Sequence, residues 1–97
     1  MMQLLVRAAA AADVEEAYLW YQRQRAGLGE EFLAAVDATL CNIATHPTTY
    51  PVIHREARRA LLRRFPYAIF YRVYGETIIV IACMHGRRDP VHWKGRT

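Results

Sequence analysis

Lysine is almost missing from this sequence: Lys94 is the one lysine among 13 basic residues, and the rest are arginine. Cysteine is scarce too. Cys41 and Cys83 are the whole supply, too few for a disulfide scaffold, so a reduced, cytoplasmic setting is expected. No apolar run is long. The longest, Ile78–Met84, falls far short of the ~20 residues of a membrane-spanning helix, so no membrane association is expected. The N-terminus lacks a basic stretch followed by an apolar core of signal-peptide length, so export is not expected. Neither an internal repeat nor a linker interrupts the 97 residues. That length holds one modest core, and residues 1–97 are expected to form a single domain. With 54% hydrophobic and 23% charged residues, the composition is that of a folded protein rather than a disordered tail.

Acid is also short where base is plentiful. The net charge of +4 is the remainder of two unlike halves, with residues 1–54 carrying −3 and residues 55–97 carrying +7. Guanidinium forks match carboxylates and phosphates, so the basic half favours a polyanionic or acidic partner.

The hydrophobic period changes once along the chain. Gln3–Arg7 reads as a short strand. Asp13, with Glu16 three residues on, resembles a capping box that opens a helix. Val14, Ala17, Tyr18 and Tyr21 recur on one helical face, and Gly27 stops the helix. Leu28, Phe32, Ala35, Val36, Thr39 and Ile43 line one face of a second helix, ended by His46-Pro47. A loop follows over Pro47–Pro51. The period then becomes two. Residues 58–65 read as a strand with Arg59 and Arg63 on one face and Arg58 and Arg64 on the other. Tyr67–Tyr74 and Thr77–His85 follow as a hairpin whose turn, Gly75-Glu76, has glycine first, as type II′ requires.

The resulting order, β-α-α-β-β-β, predicts an α+β fold with a helical hairpin on one face of a mainly antiparallel sheet. The last strand reads as apolar on both faces, Ile78, Val80, Ala82 and Met84 against Ile79, Ile81 and Cys83. One hairpin covers one face, so a tail, a second copy or a partner must cover the other. Trp20 lies off the core face of its helix and is a candidate interface residue.

Several segments, taken in order, resemble the RelE/ParE superfamily of bacterial toxins, nearest its ParE-type (plasmid stabilisation) branch. They are AAADVEEAYLWY, Gly27-x-Gly29-x-x-Phe32, Ile43-x-x-x-Pro47, FPYAIFYRV and the closing His85-Gly86-Arg87-Arg88-Asp89-Pro90. The resemblance implies a cytoplasmic toxin of a type II toxin–antitoxin module, neutralised by a cognate antitoxin encoded beside it. For the ParE branch it implies inhibition of DNA gyrase. For the RelE branch it implies ribosome-dependent cleavage of messenger RNA. A degenerate member retained only for binding is a third reading.

The chemistry leans away from a nuclease. RNA cleavage needs a general base, a general acid and cations on the phosphate. Arg59, Arg63, His85 and Arg87 are the candidate set, with Arg58 and Arg64 as further phosphate holders and Tyr67, Tyr71 and Tyr74 as further donors. Arginine stays protonated and serves poorly as a base, and the lone lysine is in the tail. Without catalysis, Arg58, Arg59, Arg63, Arg64, Arg87 and Arg88 make an electrostatic surface for the target or the antitoxin. Trp93 is either an anchor of that surface or a core residue folded back on the sheet; the letters do not separate the two. Cys83, His85, Asp89 and His92 lack the paired spacing of a zinc site, so no metal and no cofactor are expected. A homodimer and a toxin–antitoxin hetero-oligomer are both open.

Overall fold

The computed structural model describes residues 2–86 and 93–96. Five strands and two α-helices run in the order β1 (Gln3–Val6), α1 (Ala8–Gln24), α2 (Leu28–Thr45), β2 (Val52–His54), β3 (Ala57–Leu61), β4 (Tyr67–Tyr74) and β5 (Thr77–His85). One turn of 3₁₀-helix, Lys94–Arg96, follows. The sheet order is β1-β5-β4-β3-β2. β1 joins β5 in parallel and the other pairs are antiparallel. The helical hairpin lies on one face, so the α+β expectation holds, with a short extra edge strand, β2. Three residues are too few to show an alternation, which is why β2 has no signature in the sequence.

Three boundaries differ from expectation. α1 ends at Gln24, and Gly27, expected to stop it, instead precedes α2 in a left-handed conformation (φ 91°). α1 begins at Ala8, directly after Arg7, and Asp13 sits inside it. The alanine run is such a good helix former that the helix starts where the strand releases the chain. Asp13 therefore caps nothing locally. Its carboxylate instead accepts the Cys83 backbone N–H (3.0 Å) and the Arg96 guanidinium (2.6 Å). β3 ends at Leu61 rather than running to Phe65. Leu62 N–H still bonds to Tyr67 C=O at 2.9 Å, but Arg64 turns left-handed (φ 71°) and the chain bends over 63–66. Arg63 and Arg64 consequently sit on an exposed bend, not on strand faces.

β5 does not keep one alternation throughout. Phe70 pairs with Ala82 and Tyr71 with Val80, so Ile81 is an extra residue. This bulge flips the pattern. Ile78, Val80 and Cys83 face the helices, packed with Phe32, Val36, Ile43, Ile69 and Tyr71. Ile81, Ala82 and Met84 face the opposite side with Ala57, Ala68 and Phe70. Trp93 covers that second face. Its ring stacks on Phe70 (centroids 4.6 Å apart) and meets His54 edge-on, and the residue is 1% exposed. Of its two readings, Trp93 is thus the core residue in the folded chain: a large ring gains more by covering an otherwise wet apolar face than by standing in water.

Beneath the hairpin, Tyr21, Phe32, Phe65 and Tyr67 form an aromatic cluster with centroids 5.0–6.0 Å apart. The cluster ties the 63–66 bend to both helices. The interhelical turn is drawn tight by Gln22, whose Oε1 accepts the N–H groups of Gly27 (3.0 Å) and Gly29 (2.7 Å).

Candidate functional site: an arginine-rimmed groove

α1 lies across β5, and β1 pairs only with Thr77–Val80, so among the described residues no strand continues along that edge of β5 beside its distal half, whose other edge pairs with β4. There a groove of about 490 Å³ opens between α1 and the strands. Trp20 and Tyr21 wall it from the helix, and Tyr67, Cys83, Met84 and His85 from the sheet. Trp20 is 48% exposed and meets Tyr21 edge-on. The Tyr67 and His85 rings are 6.1 Å apart, neighbours because the two residues are paired across β4 and β5. Burial pushes the Cys83 thiol up to about 12, with the Asp13 charge adding to the effect, so this cysteine is protonated and inert at neutral pH. Burial also raises Tyr21 above the ordinary phenol value, with Tyr67 contributing.

The groove is charged unequally at its ends. Asp13 and Glu16 line one end and Arg23 and Pro66 the other; on a helix, Asp13 and Arg23 are roughly 15 Å apart. The Asp13 end is closed by the tail. Arg96 donates to Asp13 and to Ile81 C=O (3.2 Å), while Arg7 donates to Arg96 C=O. These side chains satisfy backbone groups on the part of β5 that β1 does not reach.

At the other end an ion-pair cluster joins the two halves of the chain. Glu31, in the first turn of α2, accepts from Arg25 (2.9 Å) and from Arg64 (3.2 Å). The hydrogen bond from Arg25 comes first among the causes that hold the Glu31 carboxyl below its ordinary range, and both guanidinium charges add to it. Arg23 and Arg63 are exposed. This cluster was invisible as a pattern, because Glu31 and Arg64 are far apart in sequence and Glu31 reads as part of the helical hairpin's acidic back.

The expected site residues separate into groups. Arg58 is a structural staple, its Nη1 donating to Thr48 C=O (3.1 Å) and Tyr50 C=O (2.6 Å). Beside it the Tyr71 hydroxyl donates to Pro47 C=O (2.7 Å), and the two hold the loop before β2. Arg59 pairs with Phe70, on the sheet face away from the helices. His85 follows Cys83 by two residues and so lies on the helix side. The sheet therefore stands between Arg59 and His85. Arg63 and Arg64 share the exposed bend near the groove. Arg87 and Arg88, like Asp89 and His92, lie outside the described residues. Among the described residues no group of His, Cys, Asp and Glu could hold a metal ion, and no helix is long and apolar enough to cross a membrane.

Comparison with known proteins gives the fold a family. The family model for the ParE toxin of type II toxin–antitoxin system, parDE, matches residues 4–90. Among solved structures, the chromosomal ParDE toxin–antitoxin system from P. aeruginosa is similar, with TM-score 0.67 and 24% identity over 88% of this chain and 96% of that one. The RelBE2 toxin–antitoxin complex from Mycobacterium tuberculosis is similar with TM-score 0.62 and 16% identity, over 87% of this chain and 96% of that one. The intact RelBE toxin–antitoxin complex of E. coli follows with TM-score 0.61 and 15% identity, over 91% of this chain and all (100%) of that one. These likenesses establish a shared fold. Among curated proteins, none matches the sequence closely enough to count as a relative.

Proposed function

Because the chain belongs to the ParE toxin family of type II toxin–antitoxin systems, we propose that it acts in the cytoplasm by inhibiting DNA gyrase and is neutralised by a cognate antitoxin. The observation that carries the target reading is the separation of two members of the nuclease-like set, Arg59 and His85. Arg59 and His85 lie on opposite faces of the sheet. A phosphate held by the first is out of reach of the imidazole that would move the proton. What remains is a basic surface with an aromatic groove, suited to binding protein. The antitoxin reading draws support from the solved relatives, which are toxin–antitoxin complexes.

The test is direct. Purified protein is expected to block supercoiling by gyrase and to leave messenger RNA on translating ribosomes intact. Normal supercoiling together with cleaved messenger RNA overturns the reading. One observation favours the ribonuclease alternative, the approach of the Tyr67 and His85 rings at the groove. On that alternative, His85→Ala or Arg63→Ala abolishes cleavage.

A further inference from the structure

We propose that two copies of this chain pair edge to edge through β1, antiparallel about a two-fold axis at Leu5, so that their sheets join into one. Such pairing is independent of the protein's target.

The edges of the sheet carry the inference. A strand edge with unpaired N–H and C=O groups is a template for another strand, and monomers blunt such edges with charge, proline, bulges or covering side chains. Two edges of this sheet are treated in that way. β2 has only three residues, follows Pro51 and is irregular between Val52 and His54. The distal half of β5 is covered by Asp13 and Arg96, which bond to Cys83 N–H and Ile81 C=O. β1 has no such device. It ends the sheet, and Gln3–Val6 holds no charge, no proline and no bulge. Its apolar side chains stand in the open, Leu5 46% and Val6 43% exposed. α1 packs on β5, inboard of this edge.

The backbone selects the mate. Gln3 N–H bonds to Glu76 C=O (2.9 Å) and Arg7 N–H to Val80 C=O (3.1 Å). In a parallel ladder alternate residues turn both of their polar groups to the same side. Gln3, Leu5 and Arg7 therefore face β5, and Leu4 and Val6 hold their N–H and C=O groups outward. A two-fold axis perpendicular to the sheet at Leu5 sets Leu4 against Val6 of the second copy, and Val6 against its Leu4. Each is a hydrogen-bonded pair that exchanges two bonds, so every outward group of both strands finds a partner. The side chains agree with this register. Leu4, packed against the core beneath the helices, meets Val6 on that face. On the other face, where its neighbour Ile79 packs, Leu5 meets Leu5 in a non-hydrogen-bonded pair, the kind with the closest side chains. Arg7 falls opposite Gln3, so no like charges meet. A register shifted by one residue would set Leu4 against Leu5, which lie on opposite faces, and the pleat excludes it.

The full chain is tested by sedimentation equilibrium from about 1 to 300 µM, the range in which a contact of this modest size dissociates. Monomer is expected at the low end and dimer at the high end. Leu5→Lys sets two like charges face to face, and Val6→Pro removes an outward N–H while leaving every bond to β5 in place. Each is expected to weaken the dimer about tenfold or more. Both native side chains are half exposed, and thermal melts matching the native chain establish that the variants fold. Register is read by cross-linking in a Cys41→Ser background, because Cys41 is exposed and Cys83 is buried. Under oxidised glutathione, Leu5→Cys is expected to form an intermolecular disulfide at least about tenfold faster than Val6→Cys. Facing Cα atoms at position 5 are about 4.5 Å apart, within disulfide range, whereas those at position 6 are out of register by two residues and beyond it. A native chain that stays monomeric over the whole range overturns the proposal. So does a dimer that Leu5→Lys leaves intact, or cross-linking that is as fast through position 6 as through position 5. Should Val6→Pro melt early, Leu5→Lys and the cross-linking comparison decide.

Discussion

Trp93 sets the sharpest test of how this fold is held together. Its ring is 1% exposed, stacked on Phe70 and edge-on to His54, over the sheet face that no helix covers. A side chain of this kind buries ~150–250 Å². At ~25 cal/mol/Å² that is roughly 4–6 kcal/mol, an upper bound because unfolded chains already bury part of this area. Ordering the tail opposes it, at about 1 kcal/mol or more per residue. Trp93→Ala is therefore expected to cost about 3 kcal/mol. Trp93→Phe keeps an aromatic ring on Phe70 and removes the indole Nε1–H, which has no hydrogen-bond partner among the described residues. Shedding that buried donor offsets the smaller ring, so Phe should stay within about 1 kcal/mol of the native chain. Urea unfolding followed by circular dichroism measures both. With a slope of about 1–2 kcal/mol per molar urea, the midpoint falls by roughly 2 M for Ala and by no more than about 0.5–1 M for Phe. A Trp93→Ala change within about 0.5 kcal/mol of the native chain, the behaviour of a surface residue, refutes the packing argument.

Two further outcomes follow from particular contacts. Burial lifts the Tyr71 phenol from 10.0 to about 12, against the opposing pull of Arg58. Its contribution to stability is thus complete below pH 10 and is lost as pH rises to about 12, by about 2–3 kcal/mol in all. Alkaline unfolding of Tyr71→Phe should be less steep over that interval, although at neutral pH the variant is about 1 kcal/mol weaker for want of the bond to Pro47 C=O; an unchanged slope refutes the assignment. At Gly29 an added Cβ would stand 2.6 Å from Gln22 Cγ and 2.7 Å from Tyr18 Cδ1. Gly29→Ala should therefore disturb the Gln22 bracket, cost about 1–3 kcal/mol and lower the thermal midpoint by at least about 4 °C. An unshifted melt shows that the turn tolerates the crowding.

Much of this molecule is written locally. The apolar rows of α2 and its His46-Pro47 end follow from helical period and backbone sterics alone. The β4–β5 hairpin follows from two β-branched, aromatic runs around a glycine, and Gly75 takes the positive φ (58°) that its turn needs. The charge asymmetry is equally a matter of composition. Family membership also rests on residues whose order and spacing can be read along the chain.

What could not be read are contacts between residues distant in sequence. The bulge at Ile81 has no letter that announces it, yet it moves Cys83 to the helix side and Ala82 to the other. Asp13 looks like a cap because local rules see only its neighbours; its partners are on β5 and in the tail. Trp93 was undecided because burial depends on whether a distant face is vacant. Arg58 and Arg59, adjacent and alike in sequence, become a staple for a loop and a side chain on the opposite face because the pleat sends successive residues to opposite sides. The rim of Arg23, Arg25, Arg63 and Arg64 exists only because the aromatic cluster draws the 63–66 bend against the helical hairpin. Period and composition are local quantities, and they determine elements and net charge. Which charges share a surface is decided by packing, because only packing brings residues from separate elements together.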